Sequence, residues 1–405
     1  MQTAQTPSTL EKTSLELLEL VLVAGLGLTL LVPNGCAIAP AALVLAGSLV
    51  LLRGRWIPSK AGNPTLLVVG CFMIYAAGSA LISFAHRDPI GHFEQYVPFL
   101  LAGLAAIGLA ACSPRAGRIL IGFALGALVA GVVAIFQILT APGICRVHLF
   151  MNETTFGAIT ALYTVVCASA LGWADRTYGI RLRILLVAGV LGGLAAALLN
   201  GSKGSWLALA LVGPFVFLQA TPDMTLWRRI GWAAGLAVYL AGLSCLPNSP
   251  VISRSEDFVR HGDHFRESYW QIGCSMIKEN PWTGNGRAEV NLRLMRTETS
   301  EMPARSWRHL HNDYIDLLAA RGIGGLTLFL VALGAPLAAF FQLWKSSDKS
   351  LRGPETTGIL FVITFALLGL TDVLFIISAR RLVFLTGVLI LLYLASRRPG
   401  EERPA

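Results

Sequence analysis

The chain has 405 residues, 55% of them hydrophobic and 14% charged, with a formal net charge of +9. A soluble domain carries about a quarter charged residues, so composition excludes one. Apolar runs of about 18 or more residues recur, each able to cross a ~30 Å hydrocarbon core as a helix. An outer-membrane barrel, built from short alternating segments, is excluded by the same runs. The basic excess does not indicate nucleic acid, because lysine and arginine mark cytoplasmic loops in membrane proteins. The reading is an all-α polytopic membrane protein with about 12 transmembrane helices.

The start, "EKTSLELLEL" at 11–20, is glutamate-rich and lacks the basic n-region of a secretory signal. An uncleaved first span is expected. In chain order the predicted spans are 15–33, 36–52, 64–85, 94–112, 118–139, 155–173, 182–200, 205–220, 229–246, 313–343, 357–377 and 380–396. Residues 1–246 therefore hold spans one to nine. Residues 247–312 form one large loop with a helix and a catalytic-looking motif, 313–396 hold spans ten to twelve, and 397–405 are a tail. The tenth span is too long for one crossing, and Gly322, Gly324 and Gly325 permit a bend in it.

Short-loop basic residues such as Arg53, Lys60, Arg115, Arg181, Arg228 and Lys345 fall on the N-terminal side. Both termini are then expected in the cytoplasm and the large loop outside. All seven histidines fall on that outer side. Of the cysteines, Cys71, Cys112 and Cys167 fall in apolar spans and read as small hydrophobes. Cys145 and Cys274 share the outer side, where a disulfide between them is one alternative.

Within the loop, "DHFRESYWQIGCSMIKEN" at 263–280 reads as a helix. Phe265, Tyr269, Ile272, Met276 and Ile277 recur at helical spacing, and this apolar face needs a membrane surface or a cavity to cover it. "PWTGNG" at 281–286 follows as a turn. Arg266 on the helix, with Arg287, Arg293, Arg296, Arg305 and Arg308 after it, offers guanidinium forks suited to phosphate oxygens. A solvated or headgroup-facing surface is the plainer reading. Lys203, in "NGSKGSW" at 200–206, sits at a turn before a helix N-terminus, a place that favours an anion. A lysine reaching the interface is the alternative. Asp372 lies in span eleven near its outer end, where an ionisable group is costly and marks a functional candidate. A histidine, Arg380 and Arg381 are its expected partners.

"RHLHNDYIDLLAARGIGG" at 308–325 places His311 and Asn312 at the mouth of span ten. Three readings of His311 stand side by side: a structural histidine, a metal ligand with His309, His261 or His264, and a general base. An imidazole takes a proton near neutral pH. Outside the cytoplasm an activated sugar donor must arrive attached to lipid, and its phosphate leaving group needs cations. The chain offers arginines and no Asp-x-Asp pair to hold a metal.

"HN" followed nine residues later by "GIGG", together with "FRESYWQIGCSMIKENPWTGNG" at 265–286, resembles the signature of the O-antigen ligase and polymerase superfamily. Arg266, Trp270, Pro281, Gly284 and Gly286 fall on its loop motif. "NGSKGSW" is similar to its "GSR" turn, with Lys203 where arginine is usual, and Asn152 falls in the place of an Asn-containing loop. The resemblance implies a metal-independent, inverting glycosyltransferase of the GT-C type that needs no cofactor. It would sit in the bacterial inner membrane with a periplasmic active site. It would move a glycan from undecaprenyl diphosphate to a hydroxyl of lipid A–core. His311 would be the base. Arg266 and Lys203, helped by Arg287, Arg305 and Arg308, would neutralise the diphosphate, with Asn312 and Asp372 in the same site. The same superfamily includes polymerases and protein O-oligosaccharyltransferases. A lipid-linked glycan transporter, the rival of another class, calls for mid-membrane polar residues along a path, and these are scarce here.

Overall fold

The computed structural model describes residues 9–53, 63–88, 90–141, 146–262, 264–297, 309–347 and 353–397. Among them every regular element is helical. The first half runs through α1 (Thr9–Leu28), α2 (Ile38–Leu52), α3 (Asn63–Ala85), α4 (Val97–Leu100), α5 (Ala102–Cys112) and α6 (Ala116–Thr140). Helix α7 (Glu153–Leu199) follows, then α8 (Lys203–Ala220) and α9 (Leu226–Ser244). Nine helical stretches among the described residues are long and apolar enough to cross a membrane. The first predicted span falls in α1, which carries Glu11, Lys12, Glu16 and Glu19 and is not one of the nine.

Predicted spans six and seven are joined in α7, whose 47 residues far exceed one crossing. The chain reverses at Gly179, where φ is 78° and ψ 175°, a conformation that favours glycine. The two halves then pack on each other, with Gly193 against Thr164. Gly131 of α6 meets Gly192 of α7 with no room for a Cβ, the close helix approach that small residues allow in membranes. Large apolar side chains such as Leu66, Ile74, Phe84, Phe136 and Phe215 face outward. Hydrocarbon tails solvate such a surface and water does not. This is a multi-pass membrane protein.

Among its described residues, the loop predicted to hold one helix holds three: α10 (Pro250–His261), α11 (His264–Glu279) and α12 (Arg287–Thr297). The apolar face of α11 is covered by protein. Tyr269 and Met276 are buried with Val290 and Leu294 of α12, Leu310, and Ala319 and Ala320 of α13 (Asp313–Ser346). Ile272 and Ile277 pack at the edge of the same cluster.

Helix α13 breaks at Gly322, where φ is 62°. In an unbroken helix the Ile323 N–H would bond the Ala319 carbonyl. Here it donates to the Pro281 carbonyl at 2.9 Å, and Ala319 accepts instead from the Asn285 N–H at 2.9 Å. The Gly286 N–H donates to Ala320, also at 2.9 Å. The "PWTGNG" turn thus satisfies the backbone groups that the kink exposes, and it locks the loop to the membrane helix. At Gly284 φ is 75°, and a Cβ would strike the Arg321 backbone. Gly284→Ala is therefore expected to destabilise the protein by at least about 1–3 kcal/mol from backbone strain alone. Thermal unfolding of the detergent-solubilised protein measures it.

Span eleven was expected to run to 377. Helix α14 (Pro354–Gly369) stops earlier, and residues 370–377 form an irregular connector to α15 (Ser378–Ala395). Asp372 therefore lies in a connector and not in a span. Phe375 pins this connector to the core. Its ring lies 5.1–5.6 Å from those of Tyr75, Phe99, Phe329, Phe365 and Phe384. The pairs with Tyr75, Phe99 and Phe329 are edge-on, and such pairs are worth about 0.5–1.5 kcal/mol each beyond burial.

Candidate active site

The site forms where two non-helical segments, the residues before α13 and the connector 370–377, meet the first turn of α7. Asn312 caps α13. Its Oδ1 accepts from the Tyr314 and Ile315 N–H groups at 3.0 and 3.1 Å, and its Nδ2 donates to the Leu370 carbonyl at 3.0 Å. One side chain thus ends the loop, starts the helix and holds the connector. The structure gives Asn312 a capping role.

His311, just before the cap, has φ 52°. Left-handed backbone is uncommon for a residue with a side chain, and strain of this kind gathers at functional sites. It turns His311 toward Asp372, with Nδ1 3.3 Å from Oδ1. His309 reaches the same oxygen at 4.0 Å, and the two imidazole rings lie 4.4 Å apart. The other carboxylate oxygen of Asp372 is 2.7 Å from Arg380 Nη2. The Val373 N–H donates to Oδ1 at 2.9 Å. All but His309 of this group are buried. Burial opposes ionisation of Asp372, but Arg380 and the two imidazoles outweigh it and hold its carboxyl well below the usual range. Burial first, then the neighbouring His311, pushes His309 down to about 4.

Arg380 is held in turn by the start of α7. Its Nε donates to Thr155 Oγ1 at 3.1 Å, Nη1 to the Val373 carbonyl at 2.6 Å, and Nη2 to Thr154 Oγ1. Asn152 caps α7 by accepting from the Thr155 N–H at 2.8 Å. Its contribution is to set the two threonines that grip Arg380.

A narrow cleft adjoins this group. Arg266, Arg380 and Asp372 line it, with Ser202, Gly204 and Ser205 from the first turn of α8. Arg254 and Arg266 both stand near Arg146. Burial and then these positive neighbours push Arg146 below the usual arginine range. Lys203 does not line the cleft. Its ammonium lies 4.6 Å from the centre of the Phe258 ring on α10.

Arg287 is drawn elsewhere. Both terminal nitrogens grip the Asp316 carboxylate, Nη1 at 2.9 Å from Oδ1, and the pair is buried. Asp316 outweighs the cost of burial and holds the Arg287 guanidinium above its ordinary range. The Asp316 Oδ1 also accepts from the Leu310 N–H at 3.0 Å, and Trp270 Nε1 donates to the Leu310 carbonyl at 3.1 Å. Asp88 accepts from the Arg287 and Ala288 N–H groups at 2.9 and 3.3 Å. The residue between the two histidines is thereby fixed on both sides. The geometry gives Arg287 a supporting role.

Arg305 and Arg308 lie outside the described residues, as do Cys145 and so its pairing with Cys274, and the side chains of His261 and His264. Sequence reasoning missed the parts played by Thr154, Thr155, Asp88, Asp316, Arg146 and Arg254. Arg380 was visible only as a neighbour for Asp372. No local pattern marks these residues, because each acquires its partner from a distant segment.

Residues 188–330 match the family model described as O-antigen ligase. No curated protein matches the chain. The matched stretch takes in Lys203, Arg266, Arg287, His311 and Asn312 and leaves Asn152, Asp372 and Arg380 outside it. Over residues 188–330 the chain is thus similar to the O-antigen ligase family, and that stretch is part of a multi-pass helical membrane scaffold.

Proposed function

We propose that the protein is an O-antigen ligase of the bacterial inner membrane. It transfers a glycan from undecaprenyl diphosphate to a hydroxyl of lipid A–core on the periplasmic side, in lipopolysaccharide biosynthesis. The observation that carries this reading is Asp372. It bridges His311 and Arg380 at the edge of a cleft that Arg266 also lines. A proton acceptor and fixed positive charge therefore stand beside each other, as displacement of a diphosphate by a hydroxyl requires.

In this mechanism His311 Nδ1 faces Asp372, and Nε2 is the nitrogen assigned to the acceptor. The acceptor oxygen attacks the anomeric carbon while its proton passes to Nε2. The bond from that carbon to the diphosphate oxygen breaks with inversion, and undecaprenyl diphosphate leaves. Arg266 and Arg380 neutralise the charge that develops on it, so no metal ion is needed. The first turn of α8 adds backbone N–H groups and a helix N-terminus. Lys203, stacked on Phe258, contributes at longer range and secures α10 over the cleft. Asp372 orients the imidazole and stabilises its charged form.

Purified protein, lipid-linked glycan and lipid A–core, assayed with and without EDTA, test the proposal. Transfer is expected in both. Loss of transfer in EDTA that added metal restores would overturn the metal-independent mechanism. A second lipid-linked repeat unit or a serine-containing peptide in place of lipid A–core separates the ligase from a polymerase or a protein O-oligosaccharyltransferase. Uptake of labelled lipid-linked glycan across a vesicle membrane, without transfer, would identify a transporter. Arg266→Ala is expected to weaken donor use about 30- to 100-fold, the low end of the 2–5 kcal/mol range for losing a charge contact, with little change toward acceptor. Equal loss toward both would refute the phosphate role.

A further inference from the structure

We propose that His309, His311 and Asp372 form a binding site for a nitrogen-preferring divalent ion of the Zn²⁺ class, and that the ion inhibits the enzyme by binding Nδ1 of His311, which keeps the proton on Nε2 and takes away the base. The inhibitory half rests on the ligase reading above. The binding half stands on geometry.

One ligand atom from each residue lies within 4.8 Å of the others. Zinc bonds nitrogen and oxygen at about 2.0–2.1 Å, so neighbouring ligand atoms around a tetrahedral ion sit roughly 3.3 Å apart. His311 Nδ1 and Asp372 Oδ1 already have that separation, at 3.3 Å. His309 Nδ1 is 4.0 Å from the same oxygen and closes the set by a small turn of its ring. The backbone that carries both imidazoles is clamped at Leu310, and the carboxylate is oriented by the Val373 N–H and Arg380. Ligands fixed by such outer partners bind metal more tightly. Three protein ligands leave a fourth position for water, the count of an open zinc site.

The chemistry also selects among ions. Arg380 balances the only carboxylate of the set and repels a cation. Hard ions such as Mg²⁺ and Ca²⁺, which need several charged or carbonyl oxygens, gain too little here. Two imidazole nitrogens favour Zn²⁺, Cu²⁺ or Co²⁺. His309 thereby acquires a role that the transfer reaction does not give it.

The test uses the full-length protein in nanodiscs, free of any affinity tag, with Co²⁺ as a visible probe. One equivalent of Co²⁺ is expected to give a d–d absorption band that Zn²⁺ abolishes and excess Mg²⁺ does not. His309→Ala and the milder His309→Gln, each checked for intact elution on gel filtration, are expected to weaken Co²⁺ binding by at least about 100-fold, beyond the effect of losing a supporting partner. In the transfer assay, the ratio of rates with and without Zn²⁺ is expected to fall well below one for the native protein and to return to one in His309→Ala. Absence of stoichiometric Co²⁺ binding, or binding unchanged in both variants, overturns the site. Binding without Zn²⁺ inhibition overturns the inhibitory role. Absence of transfer with every acceptor, alongside intact Co²⁺ binding, counts against the ligase reading and leaves the metal site standing.

Discussion

His311→Ala is expected to leave a folded, membrane-inserted protein in which glycan transfer falls by about 10²–10⁴-fold, the range that a general base supplies. The argument is geometric. His311 is turned by its left-handed backbone into contact with Asp372, and Asp372 in turn holds Arg380. Removing the imidazole deletes a proton acceptor and leaves the cap by Asn312 and the support of Leu310 in place. The loss should therefore appear in kcat, with donor binding little changed, as expected for an interaction made only in the transition state. His311→Asn is a useful control, because asparagine tolerates positive φ and keeps the backbone unstrained. Its rate should be as low as that of the alanine variant. Transfer near the native rate in either variant would remove His311 from the chemistry.

The second large effect concerns a residue with no assigned substrate contact. Arg287→Ala is expected to destabilise the protein by about 3–5 kcal/mol, because it strands the buried charge of Asp316. Replacing both partners separates stability from function. Arg287→Met with Asp316→Leu removes the charges together, and apolar replacement of a buried pair is often neutral or stabilising. The double variant should recover most of the lost stability. It should not recover transfer, because the Leu310 N–H has lost its acceptor and the segment carrying the two histidines is then held on one side alone, by Trp270. Chemical denaturation and transfer rates on the same preparations measure the two effects. A double variant with native activity would show that the pair serves only the fold.

Arg287 and Arg266 also show how far local sequence reaches. Both are loop arginines with the same expected phosphate role, and Arg266 stands apart only by its place on the predicted loop helix and the loop motif. The structure directs Arg266 into the cleft and Arg287 onto a carboxylate of α13. The difference arises from where α11 and α12 dock, which depends on the apolar cluster around Tyr269, Met276 and Leu294. Periodicity made the apolar face of α11 visible, but its cover turned out to be two other helices and not lipid. The end of span eleven was misplaced for a related reason. Residues 370–377 are mostly apolar and read as helix, while Phe375 buries itself among five rings only as part of an irregular connector.

What the sequence determined alone is the solvent of the protein and the address of its motifs. Runs of apolar residues require a membrane and force helices, because hydrocarbon leaves backbone groups no other partners. The "HN…GIGG" and "PWTGNG" patterns mark where the helical ladder starts and breaks, since caps and kinks demand particular residues nearby in the chain. Only the tertiary structure decided which charges meet. Asp372 joins His311 and Arg380, Thr155 joins Arg380, and Asp88 joins Arg287 across 199 residues of chain. Such pairings depend on how helices stack in three dimensions, and electrostatic partners chosen by packing leave no periodic trace in the order of the residues.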